Sequence, residues 1–254
     1  MSKIGYNFGR TINSQHTARH GTRGARAPYT GYQNMIIELV VGLSTVLAQS
    51  AATEKNPHEG QEKIDPSRMH VFDTQEVVIN DFPADGWILD IGGGGEGVIG
   101  RMKGKQVVAI DLYSWGMRRT PAGPLKIVMD ATDLKFLDNT FETVTSFFTL
   151  MYMTPEQQVK AAREAYRVLK PGGVFRIWDV ELPVSPDPKQ DLAIFKFTFR
   201  LPSETVETGY GTSFPRTPLK MGHFERLLTA AGFALDTRQR HGRVLTMVAV
   251  KISQ

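Results

Sequence analysis

The sequence predicts an α/β fold, a parallel sheet with helices on both faces, and three observations carry that expectation. Short apolar runs recur along residues 87–180 with helical or turn-rich stretches between them. The first run ends in four consecutive glycines, Gly92 to Gly95. The fourth run is followed by a well-punctuated amphipathic helix and then a further apolar run, the alternation of a parallel sheet with crossover helices.

Taken in order, WILDI (87–91), VVAID (107–111), KIVMD (126–130), VTSFF (144–148) and VFRIWDV (174–180) read as strands. Between the last two, Thr154 suits an N-cap and Pro155 the first helical turn. Val159, Ala162, Tyr166 and Leu169 recur at helical spacing and predict one apolar face, and Lys170, Pro171, Gly172 and Gly173 close the element. HFERLLTAAG (223–232) reads as a helix stopped by Gly232, and RVLTMVAVKI (243–252) as a final strand. IFKFTFRL (194–201) alternates as a half-exposed strand does, and the following ETVETGYGTSFP is rich in turn residues. Phe195, Phe197, Phe199 and Tyr210 read as core cover or as pocket lining, with core cover favoured for most of the phenylalanines.

The chain of 254 residues has an ordinary globular balance, 41% hydrophobic and 22% charged, and no cysteine. Disulfides, thiolate metal sites and a cysteine nucleophile are thereby excluded. The net charge of +4 is concentrated in residues 1–34, which hold five basic and no acidic residues, leaving 25 basic against 26 acidic in the rest. The folded part is close to neutral, and no basic cluster carries interleaved aromatics, so a nucleic-acid partner is not expected. No His/Asp/Glu grouping has metal-ligand spacing.

The division predicted is a basic, disordered tail with an apolar segment over residues 1–64 and one domain over 65–254. Residues 35–52 read two ways, as a targeting signal or anchor or as a packing helix that carries Glu38. The apolar run is short for a bilayer span, which takes about 20 residues.

Function is sought at the strand ends, where ligands of such sheets bind. Gly92, Gly94 and Gly97 match a weak dinucleotide pattern. Asp90 stands just before them, and a carboxylate there disfavours a diphosphate and favours a cation. Asp111, ending the second strand, suits the two hydroxyls of a ribose, and Asp130 with Ala131 an adenine edge.

WILDIGGGGEGVIGRM, VVAIDLY, KIVMDATDLKFLDNTFETVTSFFTLMYM and EAYRVLKPGGVFRIWDV together resemble the successive motifs of class I S-adenosylmethionine (SAM)-dependent methyltransferases, and their small-molecule, type 11-like group most closely. The resemblance covers residues 70–180 well. It implies a Rossmann-like, doubly wound, seven-stranded sheet with the last strand antiparallel, and SAM as cosubstrate. It places Asp90, Gly92, Gly93 and Gly94 around the methionine part of SAM, Asp111 on the ribose, Leu112 on the adenine, Asp130 and Ala131 at the adenine edge and Phe148 near the cosubstrate. Glu96 stands where the pattern has its third glycine. Asp179 is the first candidate for a general base or acceptor-orienting group, with turn capping as the competing role. Tyr152 is a candidate to hydrogen-bond the acceptor, Glu181 is a further candidate, and His223 and His70 carry less weight. The expected partner is a small-molecule acceptor, and the expected location is cytoplasmic, where SAM is supplied. A nicotinamide-dependent oxidoreductase and a non-catalytic SAM-binding module are the competing functions.

Overall fold

A computed structural model describes residues 65–252. The chain divides into two units, 1–53 and 54–254, and the described residues lie in the second. The expectations for the basic tail and for residues 35–52 fall outside them.

The main sheet has seven strands. Five are parallel: β3 (Ile88–Ile91), β4 (Val107–Asp111), β5 (Leu125–Val128), β6 (Phe141–Phe147) and β7 (Leu169–Val180). Two more strands, β10 (Phe233–His241) and β11 (Val244–Lys251), complete it in the order β10-β11-β7-β6-β3-β4-β5. The last strand, β11, lies between β7 and β10 and runs antiparallel to both. The chain leaves β3 towards β4 and β5, then returns to the other side of β3 with β6. This reversal puts the topological switch point between β3 and β6, where a crevice opens beyond their carboxyl ends. Every residue of β3 is buried, as expected for a central strand covered on both faces.

The helices are α1 (Val98–Lys103), α2 (Ser114–Arg119), α3 (Pro155–Val168) and α4 (Met221–Ala231). At the start of α3, Thr154 accepts from the Gln157 amide while the Gln157 side chain accepts from the Thr154 amide, a full capping box. The buried residues of α3 are Gln158, Ala161, Ala162, Ala165 and Val168. Val159, expected on the apolar face, is instead exposed. The rotation has a polar cause: the Gln158 amide donates to the Leu150 carbonyl at 2.8 Å, and its Oε1 lies 2.6 Å from His223 Nε2 on α4. A glutamine so satisfied is a better core residue here than a valine. Gly232 ends α4 in the left-handed conformation, as expected.

A second, smaller sheet departs from the expected outline. β8 (Leu192–Arg200) is its centre. Along one edge lie β1 (Met69–Val71) and β2 (Gln75–Val78), both parallel to β8, and along the other lies β9 (Thr205–Ser213), antiparallel over nine residue pairs. The stretch expected to form turns is therefore mostly strand. Its glycines signal turns, but its threonines, valine and tyrosine suit a strand, and β8 offers a full row of backbone partners. On β8, Phe195, Phe197 and Phe199 are buried, so they cover core. Phe199 lies 5.1 Å from Phe147 and Phe197 lies 4.8 Å from Phe148, ring centre to ring centre. The second sheet is thus seated on the carboxyl end of β6, beside the crevice.

Candidate cosubstrate and acceptor site

The glycine loop is shaped as much by the protein's own acids as by any ligand. A Cβ on Gly93 would lie 2.6 Å from Asp90 Oδ2 and 2.9 Å from the Ala109 methyl, and one on Gly94 would overlap Asp111 Oδ2. These two glycines let the carboxyls of β3 and β4 press against the loop. Gly92 has φ +74° and packs under Thr149, whose hydroxyl donates to the Ile91 carbonyl at 3.1 Å. Only at Gly95 does the loop face open space, with nothing within 4 Å of a built Cβ. Gly97, in the left-handed conformation, starts α1.

Asp90 is buried and accepts a 2.7 Å hydrogen bond from the Thr145 hydroxyl. Burial pushes its pKa up to about 7, against the Thr145 bond, and the nearby Asp111 charge adds to the rise. Asp111 is raised too, again by burial, while amides of Tyr113, Gly94 and Leu112 pull it down. The Tyr113 amide donates to its Oδ1 at 2.9 Å. Neither acid forms an ion pair among the described residues. Two carboxyls held against one loop without a cation are an electrostatic demand that a positive ligand meets and a diphosphate aggravates.

The structure brings the other expected cosubstrate residues to the same end of the sheet. Leu112 is exposed just after β4. Asp130 is exposed and accepts from the Thr132 amide at 2.8 Å, while Ala131 is buried beside it. Phe148 follows β6 with φ +50° and is buried among Phe147, Phe197, Phe199 and Tyr210. The left-handed conformation costs a bulky residue about 1–2 kcal/mol, which burial of a phenylalanine ring offsets with about 1.5–3 kcal/mol.

Asp179 takes the competing role. It is fully buried; its Oδ1 accepts from the Val180 amide at 2.8 Å and its Oδ2 from the Met151 amide at 3.3 Å. Burial holds it near 7, against those backbone bonds. It pins the 3-10 turn Leu150–Tyr152 and presents no free oxygen edge to an acceptor. Glu181 is likewise engaged, accepting from the first amide of α4 and pairing with Arg240 at 3.1 Å. Tyr152, at the end of the pinned turn, is half-exposed, and its phenol is held protonated by desolvation and by the charges of Asp179 and Glu96. His223 bonds to Gln158, and His70 sits in the second sheet beside Gln190 and against Phe72.

Sequence reasoning missed the threonines that brace this site. Thr145 and Thr149 are described above; Thr120 donates to the Gly93 carbonyl at 3.1 Å. It also missed the link from Glu96 to β9, where the Thr208 hydroxyl donates to Glu96 Oε1 at 2.8 Å. The only available signal for that link was Glu96 itself, an acid in place of a glycine. Among the described residues no helix is long and apolar enough to cross a membrane, and no cluster of three or more His, Asp or Glu is arranged to hold a metal.

Residues 89–177 match the family described as a methyltransferase domain. The chain is similar to that family from β3 into β7, the stretch that carries the glycine loop and the strand-end acids. More particularly, it is similar to the ubiquinone/menaquinone biosynthesis C-methyltransferase UbiE of Cereibacter sphaeroides, 39% identical over 75 residues, which are 30% of this chain and 28% of that protein. The UbiE of Idiomarina loihiensis is 41% identical over 68 residues, 27% of this chain and 26% of that protein. The match thus spans little more than a quarter of the length of these relatives. Among solved structures, a SAM-dependent methyltransferase from Methanosarcina mazei is 20% identical with a TM-score of 0.49, covering 68% of this chain and 95% of that one.

Proposed function

We propose that the protein transfers a methyl group from SAM to a small organic acceptor. The observation that carries this reading is the pair of carboxyls, buried Asp90 and half-buried Asp111, pressed against Gly93 and Gly94 without an ion-pair partner among the described residues. That donor set fits SAM, which has a sulfonium, an α-ammonium and ribose hydroxyls but no phosphate. Asp111 would serve the ribose of a dinucleotide as well; it is Asp90, beneath the loop, that disfavours a diphosphate there.

Bound SAM supplies an electrophilic methyl on sulfur that departs as a neutral thioether. The protein therefore has no leaving group to protonate, and its task is alignment and exclusion of water. Asp111 is suited to accept from the ribose hydroxyls. Asp90, beneath the loop, supplies negative potential rather than a direct contact. Gly92 and Gly95 shape the loop, and Leu112, Asp130 and Ala131 are placed to border the base. Phe148 holds the second sheet over the crevice. On the acceptor side Asp179 fixes the turn that presents Tyr152, and Tyr152, kept protonated, donates a hydrogen bond to orient the acceptor. A base is required only for an acceptor that arrives protonated.

The relatives named for quinone C-methylation align over too little of their length to lend this chain their acceptor. A SAM-dependent enzyme needs a supplied cosubstrate, which supports a cytoplasmic location for the domain. The test is calorimetry with SAM and S-adenosylhomocysteine, followed by a screen of acceptors for S-adenosylhomocysteine release. Binding and release support the reading, and absence of binding by both compounds refutes it.

A further inference from the structure

We propose that Glu96, with Tyr152, Thr208 and Tyr210, forms an ammonium-binding site where the glycine loop meets the second sheet; the proposal rests on the methyltransferase reading above. Glu96 occupies the place of the family's third glycine and sends its side chain from the loop to β9. Thr208 donates to its Oε1 at 2.8 Å, and the Tyr210 hydroxyl stands 3.5 Å from its Oε2. The nearby cation is engaged elsewhere: the Arg101 guanidinium donates to the Glu96 carbonyl at 2.7 Å and pairs with Glu204 at 2.7 Å. Glu96 itself forms no ion pair among the described residues.

Its charge is felt by both phenols. Desolvation raises Tyr210 and Tyr152 above the usual range, and Glu96 adds to the rise in each. They therefore remain neutral hydroxyl donors, with the Tyr210 ring packed against Phe148, Phe197 and Phe199. Gly95, one residue before, has nothing within 4 Å of a built Cβ, so the loop backbone itself is open there. A half-buried carboxylate without a cation, flanked by two neutral phenols, suits a small positive group with N–H donors and repels an anion. The ammonium has two sources: the amino-acid part of the cosubstrate, or an amine acceptor.

Calorimetry on the full chain separates them with three probes. S-adenosylhomocysteine carries the α-ammonium, 5′-methylthioadenosine keeps the nucleoside and sulfur without it, and n-propylamine titrated into the S-adenosylhomocysteine complex stands for an amine acceptor. If the ammonium is the cosubstrate's, E96Q weakens S-adenosylhomocysteine about tenfold and leaves 5′-methylthioadenosine unchanged. If it is the acceptor's, E96Q leaves both nucleosides unchanged and weakens propylamine by a similar factor. Either result supports the site.

E96Q keeps an oxygen to accept from Thr208 and removes only the charge, so a purely structural Glu96 leaves all three probes at wild-type affinity. The proposal is overturned if E96Q binds all three as wild type does, because Glu96 is then only a strut. Should E96Q fail to fold, E96D keeps the charge but withdraws it from the site, and the same ammonium-bearing probe is expected to weaken while 5′-methylthioadenosine does not. Wild-type protein that binds neither nucleoside defeats the methyltransferase reading itself, a result distinct from an unchanged E96Q.

Discussion

Replacing Asp90 with asparagine tests the electrostatics of the loop through stability. Asp90 is buried and pushed up to about 7. A carboxyl whose folded value lies above its unfolded value holds its proton more tightly when folded. Stability therefore falls as pH rises from the unfolded value near 4 and is fully reduced above about 7. Between pH 5.5 and 8 that share amounts to about 2 kcal/mol. Asp179 is raised to the same region, so the wild-type protein loses about twice as much across the interval. D90N keeps an oxygen to accept from Thr145 but carries no charge, and it removes only the Asp90 share. The melting temperature of D90N minus that of wild type is expected to grow by about 4–8 °C from pH 5.5 to pH 8 for a domain of this size. Differential scanning calorimetry at the two pH values reads this directly. A difference that stays constant across the interval refutes the claim that a charge is being forced into the space beneath the loop.

Other perturbations probe the remaining parts. G94A places a methyl on Asp111 Oδ2 and is expected to weaken SAM by about tenfold or more, since it displaces a charge-assisted hydrogen-bonding group. G95A, with open space around it but φ +66°, costs about 1 kcal/mol of stability and leaves SAM affinity within a few-fold, so the order of the two in calorimetry is the check. F148A empties a buried aromatic site under β8 and is expected to cost about 3–5 kcal/mol in urea unfolding. Q158L strips the Leu150 carbonyl and His223 of their buried partner and is expected to cost about 1–3 kcal/mol, read as a lower urea midpoint at an unchanged slope.

The main sheet was legible because its strands are apolar runs ended by chemistry-bearing residues, and because Thr154, Pro155 and Gly232 mark helix ends by local physics. The second sheet was not. β1 and β2 are three and four residues long, and their pairing with β8 spans more than a hundred residues of sequence, a contact that no local pattern announces. β9 reads as turns because Gly209 and Gly211 interrupt its strand-forming threonines and valine, and only pairing with β8 offsets them. β10, FALDTRQRH, is a half-exposed edge whose polar residues hide the alternation. At the site, the strand-end acids were identifiable by position, yet the glycines proved to accommodate Asp90 and Asp111 from beneath. The role of Asp179 depended on a tertiary fact, the return of the Leu150–Tyr152 turn over its carboxyl.

The central claim is that acids behind the glycine loop make a cradle for a cationic adenosyl compound. Isothermal titration of the full chain with SAM at pH 6.5, repeated in two buffers of different ionisation heat, addresses it most directly. The account predicts saturable binding with proton release, because a positive ligand lowers the raised pKa of Asp90 and Asp111 towards the ordinary carboxyl range, and no heat from NAD. Tight NAD binding with no response to SAM would contradict it.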